Sequence, residues 1–157
     1  MDNTNTLQIL IAILLAYVAW QNYKINEKGL KIQKDKLRLD LFERRLVVYE
    51  ACQNFLSSFE LAGRVINDEL VKFLKDSSNA EFLFGKEISE YVDKIGKKTL
   101  RHKQVLRRLE DTTLLVGDKR NQLAIEAEQI EEWIQGQREE CRSAFRKYLH
   151  FSIDKTP

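Results

Sequence analysis

Between Lys94 and Leu109 the chain carries seven basic residues and no acidic one: Lys94, Lys97, Lys98, Arg101, Lys103, Arg107 and Arg108. Such a run can hold carboxylates or phosphates through charge-assisted hydrogen bonds. The next stretch, Glu110 to Glu140, reverses the balance with nine acidic residues and three basic ones. If the chain folds back at Gly117, Arg107 and Arg108 approach Glu126 and Glu128, while Arg101 and Lys103 approach Glu131 and Glu132. The leading expectation is therefore a charge-complementary helical hairpin. Each exposed pair adds only about 0–1 kcal/mol, so the pattern sets pairing and register more than stability.

The same cations admit a second use. Lys24, Lys28, Lys31 and Lys34 form a basic segment further upstream. Together with Lys97, Lys98, Arg101, Lys103, Arg107 and Arg108 they could contact anionic lipid, at about 1 kcal/mol per cation near the surface. A nucleotide phosphate held between subunits is a lesser candidate. Nucleic-acid readout lacks support, since the net charge is only +2 and no zinc spacing or aromatic-studded strand appears.

Groups for catalysis are scarce. His102 falls on an apolar stripe, where a seam histidine bonded to a polar neighbour is the plainer reading. His150 follows Arg138, Arg142 and Arg146 at steps of four on a polar face. Cys52 and Cys141 lie on apolar helix faces and read as free, small core residues. No H-E-x-x-H, Gly-rich phosphate loop, G-x-S-x-G or paired metal-ligand spacing is present. The carboxylates are scattered without a matched acid and base. The expectation is a protein without catalytic activity, cofactor or metal.

The elements that must position these groups begin with LQILIAILLAYVAW, residues 7–20, which is apolar except for Gln8. From Thr6 to Tyr23 a helix covers roughly 27 Å, close to a hydrocarbon core of about 30 Å. Trp20 and Tyr23 stand at its C-terminal end, where amphipathic rings favour the headgroup level. The leading end carries Asp2 and no Lys or Arg, and positions before Ala16 or Ala19 suit signal cleavage poorly. The reading is one transmembrane helix. The basic flank at 24–38 places the N-terminus outside and the rest in the cytoplasm by the positive-inside rule.

Helical periodicity continues beyond. Residues 24–62 form the first cytoplasmic helix, with Gly29 as its weak point and Gly63 as C-cap. Asn67 caps a short helix ending near Asp76. Ser78 and Glu81 make a capping box for a helix from 79 to about Val116. Its stripe is Phe84, Ile88, Tyr91, Ile95, His102, Leu106 and Leu109, with Lys98 or Thr99 in the gap. TTLLV, residues 112–116, is locally β-prone but sits within helical periodicity. A last helix runs from about Lys119 to Phe151 on the seam Leu123, Ala127, Ile130, Ile134, Gln137, Cys141, Ala144, Tyr148. The predicted fold is all-α: a transmembrane helix continuing into an antiparallel bundle of three long helices plus one short. Its divisions are an anchor at 1–23, a basic juxtamembrane helix at 24–36 and a cytoplasmic helical bundle at 37–157.

KLRLDLFERRLVVYEA (36–51), AEFLFGKEISEYVDKI (80–95) and the closing Trp133, Phe145, Tyr148, Leu149 pattern resemble a group of small, uncharacterised bacterial membrane proteins. The resemblance covers most of the chain. It implies an inner-membrane location and brings no activity. In the first motif, Leu39-Asp40-Leu41-Phe42 reads as a helix packing two apolar faces at once; Arg44, Arg45 and Glu50 await partners.

The expected function is a membrane-tethered, cytoplasm-facing adaptor or scaffold. Its partners would be the lipid bilayer and either a second copy, making a homo-oligomer, or another membrane or cytoplasmic protein. The alternative is a membrane-acting effector of the antiphage-defence type, whose helical domain senses a ligand and whose anchors associate. Ala12 and Ala16 offer that association a small-xxx-small contact.

Overall fold

The computed structural model describes residues 3–111 and 117–150, with side chains from Leu7 onward. Among these residues every regular element is a helix: α1 (Asn3–Ala62), α2 (Asn67–Asp76), α3 (Ala80–Phe84), α4 (Lys86–Glu110), α5 (Asp118–Gln135) and α6 (Gln137–Arg146). Asp2, Thr112–Val116 and Phe151, which figured in the sequence reading, lie outside the described residues. Two compact units divide the chain, residues 1–40 and 41–157.

Every described residue of the first unit belongs to α1. Leu7, Ile9, Leu10, Ile13, Leu14, Leu15 and Trp20 all expose about half or more of their surface. Tyr17 and Trp20 tilt together at 6.3 Å, and Lys24 Nζ lies 4.0 Å above the Trp20 ring. Gly29 does not interrupt the helix. Among the described residues no helix is long and apolar enough to cross a membrane. The apolar run proper, Leu7 to Trp20, covers only about 21 Å at 1.5 Å per residue; the fuller expected span draws on Thr6, Gln21, Asn22 and Tyr23.

The second unit builds one main core. Val48, Cys52, Phe55, Leu56 and Phe59 of α1 meet Leu70 and Phe73 of α2, Phe84 of α3, Ile88, Val92 and Ile95 of α4, Ile130 and Ile134 of α5, and Cys141 and Phe145 of α6. The steps of four, three and four between 48, 52, 55 and 59 put them on one face, as periodicity predicts. Phe55 stacks on Phe73 at 4.9 Å, and Phe145 meets Tyr49 at 5.5 Å and Phe84 at 5.0 Å. A smaller cluster joins Val105 to Leu123 and Ala127, with Leu106 and Leu109 against it. Leu39 and Leu41 remain 45% and 39% exposed, so the motif around Asp40 does not pack two faces.

The helix ends show where local signals compete. Gly63, at φ 61°, donates to the Phe59 carbonyl at 2.9 Å and ends α1 as predicted. Asn67 is the first helical residue of α2 rather than its cap, because its side-chain oxygen accepts from Lys103 Nζ at 2.6 Å instead. The Ser78–Glu81 capping box does not form; Ala80 begins α3, and Asn79 precedes it without a side-chain cap. The expected long third helix is divided by Gly85, at φ 80°, a conformation open to glycine and costly to other residues. The expected last helix is divided at Gly136, which keeps right-handed helical angles (φ −72°, ψ −12°).

These two glycines predict opposite outcomes. Gly85→Ala should destabilise by about 1–3 kcal/mol through backbone strain alone, since open space surrounds an added Cβ. Gly136→Ala should stabilise by about 0.5–1 kcal/mol, since its angles are helical and its Cβ would meet Glu132 and Trp133 carbonyls at an ordinary 3.6 Å. Urea midpoints of the two variants should move to opposite sides of the wild type; a shift in the same direction would refute the assignment.

Candidate interaction surface

The basic run of α4 divides among several tasks. Arg101 binds Glu126 of α5 with both arms of its guanidinium, at 2.6 and 2.8 Å. The Arg101 hydrogen bond, with Arg108 and Lys98 adding their charge, holds the Glu126 carboxyl below the usual carboxylate range. Lys94 and Lys98 lie 5.2 and 5.1 Å from the centre of the Trp133 ring, a cation–π clamp from α4 onto α5. Lys97 pairs with Asp93 on its own helix at 3.9 Å. The complementary-charge reading of α4 and α5 therefore stands, and Arg120 Nη2 to the Leu109 carbonyl (2.9 Å) closes the far end of an antiparallel pair.

The register differs from the expected one. Arg101 meets Glu126 where the sequence reading set it against Glu131 and Glu132. A fold-back pivoting on Gly117 assumes that both helices reach the glycine. Instead α4 stops at Glu110, and Arg101 meets a residue five to six positions before the expected ones, a slip of about one and a half helical turns. Glu131 is held by Gln135 at 3.2 Å on its own helix.

Lys103 and Arg107 turn to another side of α4. With Arg64, Val65, Asn67, Leu106 and Glu110 they line an open cavity of about 300 Å³. Three cations face one carboxylate there, the chemistry of a shallow anion-binding recess. A second cavity, of about 380 Å³, is lined by Arg44, Val47, Val48, Asp76, Asn79, Phe82 and Leu83. Phe82 is 86% exposed at its edge. Lys24, Lys28, Lys31 and Lys34 belong to the first unit, as do Ala12 and Ala16, all exposed on α1.

Arg45 finds a partner that periodicity could not name. Its Nε donates to the Leu83 carbonyl at 2.9 Å and Nη1 to the Tyr148 carbonyl at 3.5 Å. Its guanidinium also lies 5.6 Å from the centres of the Phe84 and Tyr148 rings. Arg45 thus ties α1 to the end of α3 and to the turn after α6. Gln137 is buried as the seam required. Its amide donates to the Trp133 carbonyl, and its own carbonyl accepts from Tyr91 Oη at 3.1 Å. Burial, first, and the neighbouring cysteines push the Tyr91 phenol far up. Thr99 rather than Lys98 fills the stripe gap, its hydroxyl donating to the Ile95 carbonyl at 2.8 Å.

His102 is 1% exposed, and neither ring nitrogen has a hydrogen-bond partner. Its ring meets Phe59 edge-on at 5.6 Å. A seam position was expected; the polar partner is absent. Burial pushes its pKa below the ordinary value, against a smaller upward pull from Glu131. The folded state therefore favours the neutral ring, and the unfolded chain binds the proton first as pH falls. Stability is fully present above about pH 6.5 and is lost below it, at no more than about 1.4 kcal/mol per pH unit. His102→Leu should remove this slope between pH 5 and 7 in urea titrations. An unchanged slope would place the dependence elsewhere.

Among the described residues no group of three or more His, Cys, Asp or Glu could hold a metal ion. The arrangement offers recesses and a charged, aromatic seam. Comparison with protein families, with curated proteins and with solved structures finds no match to this chain.

Proposed function

We propose that the protein is a membrane-tethered helical adaptor: lipid covers its N-terminal apolar run, and the remaining helices, arranged as an antiparallel bundle in the cytoplasm, form a non-catalytic interaction module. One observation carries this reading. Large apolar side chains stand exposed on every side of α1 between Leu7 and Trp20. Each would gain about 1.5–3 kcal/mol from burial, and an exposed apolar surface of this extent marks a binding or membrane site. A helix apolar all round suits a hydrocarbon interior better than an interface, which wants one polar face.

Charge supports it further. No charged residue lies between Asp2 and Lys24. Those 21 uncharged positions correspond to about 31 Å of helix, and a short apolar stretch is tolerated by local bilayer thinning and by snorkelling flanks. Lys24 and its successors set the orientation. The likeness to small bacterial inner-membrane proteins belongs to the same proposal.

The test is topological. A C-terminal fluorescent-protein fusion should be bright and resist carbonate extraction from bacterial membranes, and a C-terminal alkaline phosphatase fusion should be inactive. An active phosphatase would overturn the orientation. A chain released by carbonate would overturn the tether.

The effector reading rests on Ala12 and Ala16, one helical turn apart within the apolar run. Changing both to Leu keeps the segment hydrophobic and blocks close helix approach. An adaptor keeps its location and its partners after this change. Overexpression of the wild type that depolarises cells, with loss of that effect in the double variant, would select the effector.

A further inference from the structure

Lys103, Arg107 and Glu110 follow one another on α4 at steps of four and three, and so share a face. Lys94, Lys98 and Arg101, which meet α5, share another. At about 100° per residue the two sets stand roughly half a turn apart. The connection from α1 to α2, turned by Gly63 at φ 61°, brings Arg64 and Val65 to the first of these faces, and Asn67 opens α2 beside them. With Leu106 these residues line the open cavity of about 300 Å³. Asp68 and Glu69, the next residues of α2, are not among its lining.

Two features set this recess apart from an ordinary charged surface. Lys103 is half-buried, and its Nζ is held on Asn67 Oδ1 at 2.6 Å. Arg64 and Arg107, by contrast, have no ion-pair or hydrogen-bond partner among the described residues. Other cations of α4 are engaged: Arg101 with Glu126, Lys97 with Asp93, Lys94 and Lys98 with Trp133. Cations gathered on one cavity repel one another, so their convergence does not help the chain to fold.

We propose that this recess binds a phosphate monoester, with Arg64, Lys103 and Arg107 on the phosphate oxygens and the organic body of the ester against Val65 and Leu106. Charge selects the class. Three cations less the one Glu110 carboxylate leave a charge of two. A phosphate monoester carries about −1.5 to −2 at pH 7. A carboxylate leaves a guanidinium unmatched, and a polyphosphate brings surplus charge against Glu110. Two forked guanidiniums and an ammonium also suit the three terminal oxygens of a tetrahedral phosphate. Size agrees, since small-molecule clefts begin at about 300 Å³, and a bare ion leaves such a space mostly empty. The recess lies within the second unit, so the proposal stands whether or not lipid covers the first.

The probe is phenyl phosphate, titrated calorimetrically into the full chain in a neutral detergent. Saturable one-to-one binding is expected. Phenyl sulfate, the same ring with a single charge, should bind about tenfold or more weakly. Arg64→Gln and Arg107→Gln should each weaken phenyl phosphate by about tenfold or more, the worth of one charge-assisted hydrogen bond, with urea midpoints unchanged. Arg108→Gln removes the same charge one residue away and outside the recess, so its affinity should equal that of the wild type. Absence of saturable binding would overturn the proposal. Equal losses in all three variants would reduce the effect to general attraction by a basic helix, and equal affinity for the sulfate would remove the dianion; either overturns it as well. Phosphatidic acid in micelles of the same detergent identifies the source. Displacement of phenyl phosphate by phosphatidic acid and not by phosphatidylcholine names a lipid headgroup, and persistence of the bound probe names a free monoester.

Discussion

On the proposed tether, replacing Leu10 and Leu14 with Asp should move the protein out of the membrane fraction. An aspartate near the middle of a lipid-embedded helix costs about 2.5–3.5 kcal/mol, and each lost leucine forfeits about 0.5 kcal/mol more. The two changes together cost about 6–8 kcal/mol, more than a 10⁴-fold shift in partitioning at about 1.4 kcal/mol per decade. Both positions are exposed on α1, at 64% and 63%, and neither belongs to the core of residues 41–150. Helical content and the urea midpoint of the second unit should therefore be unchanged. Retention of the doubly charged variant in carbonate-washed membranes would show that something other than lipid covers this run.

The second large effect belongs to Phe145. It is fully buried, meets Phe84 edge-on and Tyr49 at a tilt, and so joins α6 to both α3 and α1. Phe145→Ala removes a large ring from a site enclosed by three helices, a change that costs about 3–5 kcal/mol. A domain of this size commonly holds only about 5–15 kcal/mol in total, so the midpoint of urea unfolding should fall by about a fifth or more. Phe82→Ala is the natural control, because Phe82 is 86% exposed and its truncation should stay within about 0.5 kcal/mol. Equal losses at the two positions would refute the placement of the core.

Periodicity made much of the second unit legible. The seam Leu123, Ala127, Ile130, Ile134, Gln137, Cys141 is buried, including its one amide, and its last members, Ala144 and Tyr148, are half-buried against the core, because 3.6-residue spacing decides which side of a helix faces inward. Gly63 announced the end of α1 for a similar reason: a glycine at a helix end removes the Cβ penalty of the left-handed turn. Gly85 was not readable in the same way. The stripe continues across it from Phe84 to Ile88, and only the positive φ breaks the helix. The capping box failed because S-x-x-E is a local pattern, while the start of α3 is set by the burial of Ala80 and Phe84.

The candidate site was less legible. Charge signs foretold that α4 and α5 would pair, but register depends on where the turn falls, and no sequence signal located the end of α4 at Glu110. Cation–π contacts need a ring in range, so the Lys94–Trp133–Lys98 arrangement could not be read from charge alone. Arg45 was noticed without a partner, because its acceptors are backbone carbonyls at positions 83 and 148, and carbonyls leave no trace in composition.

The chain contains two tryptophans, and the fold gives them separate duties as optical reporters. Trp20 stands at the end of the apolar run beside Tyr17 and under Lys24. Trp133 is half-buried between Lys94 and Lys98 in the α4–α5 seam. On the proposed tether, emission from Trp20 would answer to quenchers carried on acyl chains, while emission from Trp133 answers to separation of the two helices. A single phenylalanine replacement at either position leaves a one-colour probe, so insertion and unfolding of the same molecule become two independently observable events.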